Sequence, residues 1–379
     1  MMGIQIDRRR LFALCRKESW QIVRDPSSIL IAFVLPVVLL FIFGFGINLD
    51  ANKVRLGVVV EDSGAEAQRF ADVLAASPFI DVVRDTSRER LRALLAAGEV
   101  RGMLVIASDF SSKVRQGEGS AAIQVLTDGA EPNTANFLGS YLQGAWQVWL
   151  RQRATDQGLP QPKMVELSPR YWFNPTTVSR NYLVPGSISV IMTIIGALLT
   201  SLVVAREWER GTMEALLSTP VTRAELLLSK ILPYYFLGMA AMLMCVLVAT
   251  LLMDVPLRGS WGVLFIVSSL FLGSSLGLGL LLSTVTRNQF VAAQGALTAA
   301  FLPATMLSGF VFEIGSMPLP VQAATYLVPA RYFVGALQTL FQAGDIWSVL
   351  LVQIGFLLLS AFFWLGLTAL KSSRRLDGN

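Results

Sequence analysis

Six stretches of the chain carry no charged side chain: Ser28–Ile47, Leu183–Ala205, Ile231–Met253, Val263–Thr284, Phe290–Phe312 and Ser348–Leu370. Each is close to the ~20 residues that a helix needs to cross a ~30 Å hydrocarbon core. A soluble fold would have to cover such runs with a further layer of polar helices, and the chain has none, so the runs are expected to be membrane spans. The first is not a cleaved signal peptide, because its apolar part is too long and the Gly-Phe-Gly-Ile-Asn-Leu-Asp stretch after it lacks a small-residue cleavage site.

Between the first two runs the pattern changes. Val54–Val60 is β-branched and strand-like, Ala65–Ala76 has helical spacing at Phe70, Val73 and Leu74, and Phe79–Val83 is strand-like again. Thr86 and Glu89 form a capping box ahead of Leu91, Leu94 and Leu95, and Gly98 stands at the C-terminal cap. Strands follow at Gly102–Ile106 and Ala122–Leu126, then a long helix from Pro132 through Trp146 and Trp149 to Arg153. Strands alternating with helices predict a small, parallel or mixed sheet with helices packed on it. Trp146 and Trp149, on one helix face, either pack the core or present a binding surface. A Pro-rich linker, Gly158–Pro162, and the segment Tyr171–Tyr182 return the chain to the membrane. The predicted architecture is therefore an α-helical integral membrane protein with six transmembrane helices plus an inserted α/β extracytoplasmic domain.

Composition agrees: of 379 residues 54% are hydrophobic and 15% charged, with a mean hydropathy of +0.57, far too apolar for a soluble average. Charge then orients the spans. Arg8, Arg9, Arg10, Arg16, Lys17 and Arg24 precede the first, Arg206, Arg210, Arg223 and Lys230 lie between the second and third, Arg287 lies between the fourth and fifth, and Lys371, Arg374 and Arg375 follow the last. Only Arg258 and Arg331 occupy the opposite short loops, so both termini are expected to be cytoplasmic. The net charge of +5 reflects that bias and does not point to nucleic acid.

Chemistry is narrowed by absence. With no histidine and two cysteines, Cys15 and Cys245, the chain has no His-based zinc site, no Ser-His-Asp or Cys-His nucleophile and no disulfide in the exported segment. It has no phosphate loop and no Gly-Lys pair. The six runs contain no Asp, Glu, Lys or Arg, each of which costs about 2.5–3.5 kcal/mol at the bilayer centre, so an ion-coupled secondary carrier is disfavoured. The fourth run instead repeats small residues at Ser269, Gly273 and Gly277 and at Ser275, Gly279 and Ser283. Such stripes let helices approach closely, either within the chain or along a path or a second copy.

The segment Arg206–Lys230 is the other dense polar feature. Arg206, Glu207, Glu209 and Arg210 stop the second span, Gly211 offers a break, and Met213, Leu216 and Leu217 are expected to face the bilayer surface from a short amphipathic turn. Pro220 interrupts the ladder, and Thr222 with Glu225 is a capping box that starts the third span. This elbow reads either as an ordinary interfacial helix or as an element that carries a push from a docked protein.

In order and spacing, Lys17-Glu18, Arg24-Asp25-Pro26, Pro36, Gly44, Asn174-Pro175, Pro185-Gly186, Arg206-Glu207, Arg210-Gly211-Thr212, Glu214, Thr219-Pro220, Glu225, Lys230, Leu307-Ser308-Gly309, Pro320 and Pro329 resemble the permease subunit of type-2 ATP-binding-cassette (ABC) transporters. The likeness is to the bacterial drug-export branch, with a large extracytoplasmic domain between spans one and two. The resemblance implies a dimer of permeases, identical or paired with a sister subunit, and a separate ATPase subunit that holds ATP and magnesium while this chain binds no cofactor and is not itself catalytic. It implies that Glu207, Glu209, Arg210, Gly211, Thr212 and Glu214, with Lys17, Glu18, Arg24 and Asp25 on the helix before the first span, couple to that ATPase. Glu313 is then an outer gate residue or a simple helix end. A periplasmic adaptor and an outer-membrane channel are further partners the family suggests, and the cargo would be hydrophobic or amphipathic.

The expected layout is an amphipathic interface helix at 1–27, the first span at 28–47, the extracytoplasmic domain at 48–182, the second span at 183–205 and the coupling segment at 206–230. Spans three to six fill 231–370, with a re-entrant or surface segment at about 313–347, and a tail at 371–379. Two other classes stay open: a membrane sensor or assembly factor whose exported domain binds a ligand, and a secondary carrier. Dependence on a partner's ATP hydrolysis separates both from an exporter.

Overall fold

The computed structural model describes residues 7–46, 53–116, 123–127, 132–158, 174 and 178–372. The predicted linker at 159–162, most of the segment 171–177, the tail with Arg374 and Arg375, and the terminal Ile47 and Ala122 of two predicted elements lie outside the described residues. The backbone divides into two compact units, Leu49–Pro169 and the remainder, Met1–Asn48 with Arg170–Asn379.

The smaller unit is a four-stranded sheet of β1 (Val54–Val60), β2 (Ile80–Arg84), β3 (Gly102–Ile106) and β4 (Ile123–Thr127), in the order β2-β1-β3-β4. β1 is parallel to both neighbours and β3 pairs antiparallel with β4. The buried central strands read as nearly unbroken apolar runs, as expected where both faces are covered. Phe70, Phe110 and Trp149 pack together on one face of the sheet, while Leu91 packs on Val59, Met103 and Val105 on the other. Trp146 stacks on Trp149 at 4.7 Å and joins the same core. The helix of Leu91, Arg88–Ala96, is capped one residue later than the predicted box: the Ser87 hydroxyl accepts from the Arg90 N–H, and Glu89 lies in the first turn. A short helix at Phe110–Gln116 carries no helical apolar pattern strong enough to be read from sequence, and its start is held by Asp62, whose carboxylate accepts from the Ser111 and Gly64 N–H groups.

The larger unit is helical. It opens with α1 (Arg8–Arg24). Five of its helices are long and apolar enough to cross a membrane, among the described residues: α2 (Pro26–Gly46), α3 (Arg180–Glu209), α5 (Arg223–Leu252), α6 (Trp261–Thr286) and α10 (Trp347–Lys371), with the six-residue α4 (Thr212–Leu217) after α3. The predicted run from Phe290 is helical only over 289–306, here α7. It is shorter than its apolar composition suggested and carries Gln289, Gln294 and Pro303; the chain turns at Ser308-Gly309, where Gly309 has φ +84°. The polar segment that follows holds α8 (Leu319–Thr325) and α9 (Pro329–Gln342). One face of α9, Phe333, Val334, Ala336, Leu337, Leu340 and Phe341, is buried in the bundle.

The central member is α3: 83% of its most apolar window is buried, against 22% in α2 and α10. Small residues make this possible. A side chain at Gly279 of α6 would collide with Ala197 and Thr200 of α3, and one at Gly196 with Ser275. The Ser283 hydroxyl accepts from the Val204 and Ala205 N–H groups at 3.0 and 2.9 Å. On the opposite face of α6, Gly273 and Gly277 let Ala361, Trp364 and Leu365 of α10 approach, while the Ser269 and Tyr235 hydroxyls pair at 2.8 Å. Both stripes of α6 are thus in contact with helices of the same chain.

Candidate functional site

The site lies where α1, the last turn of α3 and the first turns of α5 meet. Local sequence sets up each terminus. Asp7 caps α1 by accepting from the Arg9 N–H at 2.9 Å, and Asp25, extended because Pro26 follows it, ends α1 and caps α2 through the Ser27 N–H. After α3, Gly211 adopts φ +69°, a left-handed conformation glycine takes at little cost, and turns the chain into α4. Thr222 and Glu225 form the expected capping box at α5.

These ends deliver four charges to one place. Lys230 of α5 is held by Glu18 of α1 and donates to Glu207 of α3 at 3.0 Å. Lys17 also bonds Glu207 and reaches Glu18 at 3.2 Å. Glu18, Glu207 and Lys230 are 3%, 4% and 3% exposed, while Lys17, with its side chain 38% exposed, closes the group on the solvent side, so two carboxylates balance two ammoniums and three of the four charges are shut away from water. The second Glu207 oxygen accepts from the Thr212 hydroxyl. Burying such charges is costly, and it is tolerated only when each is paired and hydrogen-bonded. Beside this network Arg206 pairs with Asp25 at 3.0 Å, and Asp25 accepts from the Ser28 hydroxyl at 2.9 Å. Burial opposes charge on Asp25, but Ser28, Arg206 and the Ser27 N–H outweigh it and hold the carboxyl below its ordinary range. Burial likewise works against the Lys17 ammonium, yet Glu207 and Glu18 prevail and raise its pKa.

A second clamp lies one turn away. The buried Glu225 carboxylate accepts from the Thr222 N–H and, through its other oxygen, from the Asp7 N–H, both at 2.7 Å. One side chain therefore caps α5 and ties it to the start of α1. Arg10 adds a bond to the Pro220 carbonyl at 2.7 Å. Glu209 faces the other way, accepting from the Gln289 N–H at 2.7 Å and from its side chain, while Arg287 lies 4.5 Å over the Trp208 ring. The foot of α3 is thereby fastened to α1, α5 and α7.

The sequence-selected residues separate into two sets. Glu18 and Glu207 are buried cross-links rather than solvated charges at the end of a span, and Lys17 and Asp25 flank them. Arg24 lies over the Trp20 ring at 5.5 Å. Arg210, Gly211, Thr212 and Glu214 are exposed along the turn above the network. The amphipathic turn is oriented opposite to expectation: Met213 is buried against Val204 and Leu280, with Leu216 packed alongside, because the left-handed Gly211 folds α4 back onto α3 and α6; the Leu217 side chain lies outside the described residues. Glu313 is exposed and remote, at the start of a short turn where its carbonyl accepts from the Ser316 hydroxyl at 2.7 Å. Lys230, Arg206 and Glu225 complete the site although charge patterning had used them only for orientation and capping. The available signal was Lys230 as the one charge in Leu-Leu-Leu-Ser-Lys-Ile-Leu, where an ammonium in a mainly apolar stretch needs a partner.

A metal-holding group of three or more acidic or sulfur ligands is absent among the described residues. The site has no nucleophile or free acid poised for chemistry, and its geometry cross-links helices. The family profile described as "ABC-2 family transporter protein" matches residues 26–370, from the start of α2 to the last turn of α10. The chain belongs to the ABC-2 transporter family. It is a multi-pass membrane protein and a permease subunit, the class in which this family is found. It is 57% identical over 97% of its length, and 98% of the relative's, to the Escherichia coli (strain K12) protein named "Probable multidrug ABC transporter permease YbhS". It is 30% identical to "Probable multidrug ABC transporter permease YbhR" of the same organism, covering 86% of this chain and 87% of that one. "Linearmycin resistance permease protein LnrN" of Bacillus subtilis (strain 168) is 24% identical over 96% of this chain and the whole of the relative.

Proposed function

We propose that this ABC-2 permease is driven by a separate ATPase subunit that docks on the exposed turn Arg210-Gly211-Thr212-Glu214, and that the Lys17-Glu18-Glu207-Lys230 network carries the movement to α1, α3 and α5 together. The observation that carries this reading is the closure of that network: a push on the turn acts through Thr212 and Glu207 on two other helices, joined by the buried pairs of Lys230 and the half-buried pair of Lys17. In this reading both termini and the turn are cytoplasmic, the α/β unit lies outside the bacterial inner membrane, and 289–306 is the fifth of six spans. Two permeases, with ATP and magnesium on the ATPase pair, alternate between inward- and outward-open states; ATP binding favours one of them differentially, as any ligand-driven change requires. The apolar spans favour hydrophobic or amphipathic cargo, drug-like or lipid-like, and the names of the relatives point the same way. An adaptor and an outer-membrane channel would continue the path.

The test is copurification of the tagged chain with its ATPase, comparing ATP turnover and cargo efflux in wild type, Glu214→Arg and Arg210→Glu. Reversing these exposed charges is expected to leave the permease folded and to lower substrate-stimulated turnover. Full turnover and efflux in both variants would remove the turn from the coupling path, and a chain that binds no ATPase would return the sensor reading.

A further inference from the structure

A cavity of about 240 Å³ lies inside the helical unit, between α3, α6, α7, α10 and the start of α9. Its origin is visible in the sequence. α7 presents Ala299, Ala300 and Pro303 toward Ser274 and Ser275 of α6, so small residues face small residues and no side chain is long enough to close the gap. Phe271, stacked on Phe333 at 4.1 Å, forms one wall and Trp364 of α10 another. The rim is open: Leu327 is 78% exposed, and Ala299 beside it is exposed as well.

The polar groups in the lining do not call for water. Thr193 donates to the Ser189 carbonyl at 2.8 Å, the Ser274 and Ser360 hydroxyls pair at 2.7 Å, and Ser275 donates to the Thr193 carbonyl at 3.4 Å. A water needs two or more polar partners to enter such a space, whereas an apolar cavity of ~150 Å³ stays dry and takes up benzene. This one is larger and opens from a helix bundle whose surroundings are hydrocarbon. The molecule present there at the highest concentration is a lipid chain, and close packing favours filling the void with it.

We infer that the cavity between α6, α7 and α10 binds an unbranched hydrocarbon chain, supplied either by a membrane phospholipid or by the alkyl part of an amphipathic cargo. The site lies within one copy of the chain and has no member in the ion network, so it stands apart from the proposed coupling path.

The experiment uses the full chain in phospholipid nanodiscs, without ATPase, so its failure is distinguishable from failure of the coupling proposal. In one arm the discs contain a phosphatidylcholine with a diazirine near the end of one acyl chain; in the other a diazirine-bearing long-chain alkyl amine is added. After irradiation, labelled residues are mapped by fragmenting the peptides in tandem mass spectrometry. Label is expected at Ala300 and Trp364 beyond that at the lipid-facing Leu359 and Phe362, which are 64% and 70% exposed. It should be lost in Ala300→Phe, which fills the cavity, and in Ala299→Phe, which blocks its exposed mouth without stressing the core. Unchanged label at Phe362 reports that each variant is folded. Cavity labelling by the phospholipid identifies a bound lipid, and labelling by the amine alone identifies a cargo tail. Labelling that survives both substitutions, or that does not exceed the lipid-facing background in either arm, overturns the inference. Disulfide-linked dimers of Ala299→Cys with no lipid label would assign the mouth to a second copy and overturn it equally.

Discussion

The two units of this permease place most of their ion pairs differently. In the α/β unit the pairs Arg55–Asp81, Arg84–Asp72 and Arg88–Glu61 sit at the surface, with side chains 32–67% exposed, and the fold rests on Phe70, Phe110, Trp149 and the apolar strands. In the helical unit Glu18, Glu207 and Lys230 are buried where α1, α3 and α5 meet. The contrast follows from the solvent. A domain in water is assembled by removing apolar surface from it, and its charges can remain outside. In a bundle surrounded by hydrocarbon, apolar contact is equally available from lipid, so helices are matched by close approach of small residues and by polar groups that need one another.

The largest effect that would break this comparison is expected at Lys230. Lys230→Met leaves two buried carboxylates to share Lys17, and loss of one member of a buried pair typically costs about 3–5 kcal/mol. Thermal unfolding in mild detergent should show α1 released from the bundle; a variant as stable as wild type would mean the network contributes nothing. In the α/β unit the comparable loss is expected from an apolar change. Trp149→Ala should cost about 3–5 kcal/mol, read by denaturant unfolding of the whole chain with a probe in that unit.

A smaller effect is expected at α6. Ser283→Ala removes the acceptor of two α3 N–H groups, and interhelical hydrogen bonds in membranes average about 0.6 kcal/mol with a maximum near 1.7. A loss far above that range would mark a repacked α3–α6 contact.

Hydrogen exchange against pH sharpens the contrast further. Lys17 has a raised pKa, so its contribution is complete below the ordinary ~10.4 of a lysine and disappears as pH climbs through the raised value; α1 should loosen in alkali. Asp62 is depressed: burial opposes its charge, but bonds from Ser111 and the Gly64 N–H prevail. Its contribution is complete above ~3.9 and is lost as pH falls, so the loop after β1 should loosen in acid and be indifferent to the alkaline change. The smallest effect is expected from Arg88→Ala, which opens an exposed pair and should leave unfolding within experimental scatter.

Much of the chain was readable from local pattern. β1 and β3 match the predicted ranges to the residue, β2 is displaced by one, β4 ends one residue later than predicted, and five apolar runs became long helices, because strand pattern, apolar run length and caps such as Thr222 with Glu225 are interactions between near neighbours. The cap read at Thr86 stands one residue later, at Ser87, because neighbouring hydroxyl residues satisfy the same local pattern. The orientation of Met213 was legible only after Gly211 had set the direction of α4, since an amphipathic turn can face lipid or protein with the same periodicity.

The candidate site was half legible. Glu207 stood out as a charge at the end of an apolar run, and Lys17 and Glu18 were singled out by the family resemblance, but pairing Lys230 with a glutamate 212 residues away is a matter of which helices become neighbours. By itself the sequence determined the number of apolar runs, the strand–helix alternation between the first two, the helix caps and the absence of histidine chemistry, because these depend on composition and on residues a few positions apart. Only the tertiary structure decided that four charges form one closed network, that the stripes of α6 face α3 and α10, and that α7 leaves a cavity. Those depend on long-range packing, where desolvation, steric fit and the partner across the interface set the energy of each side chain.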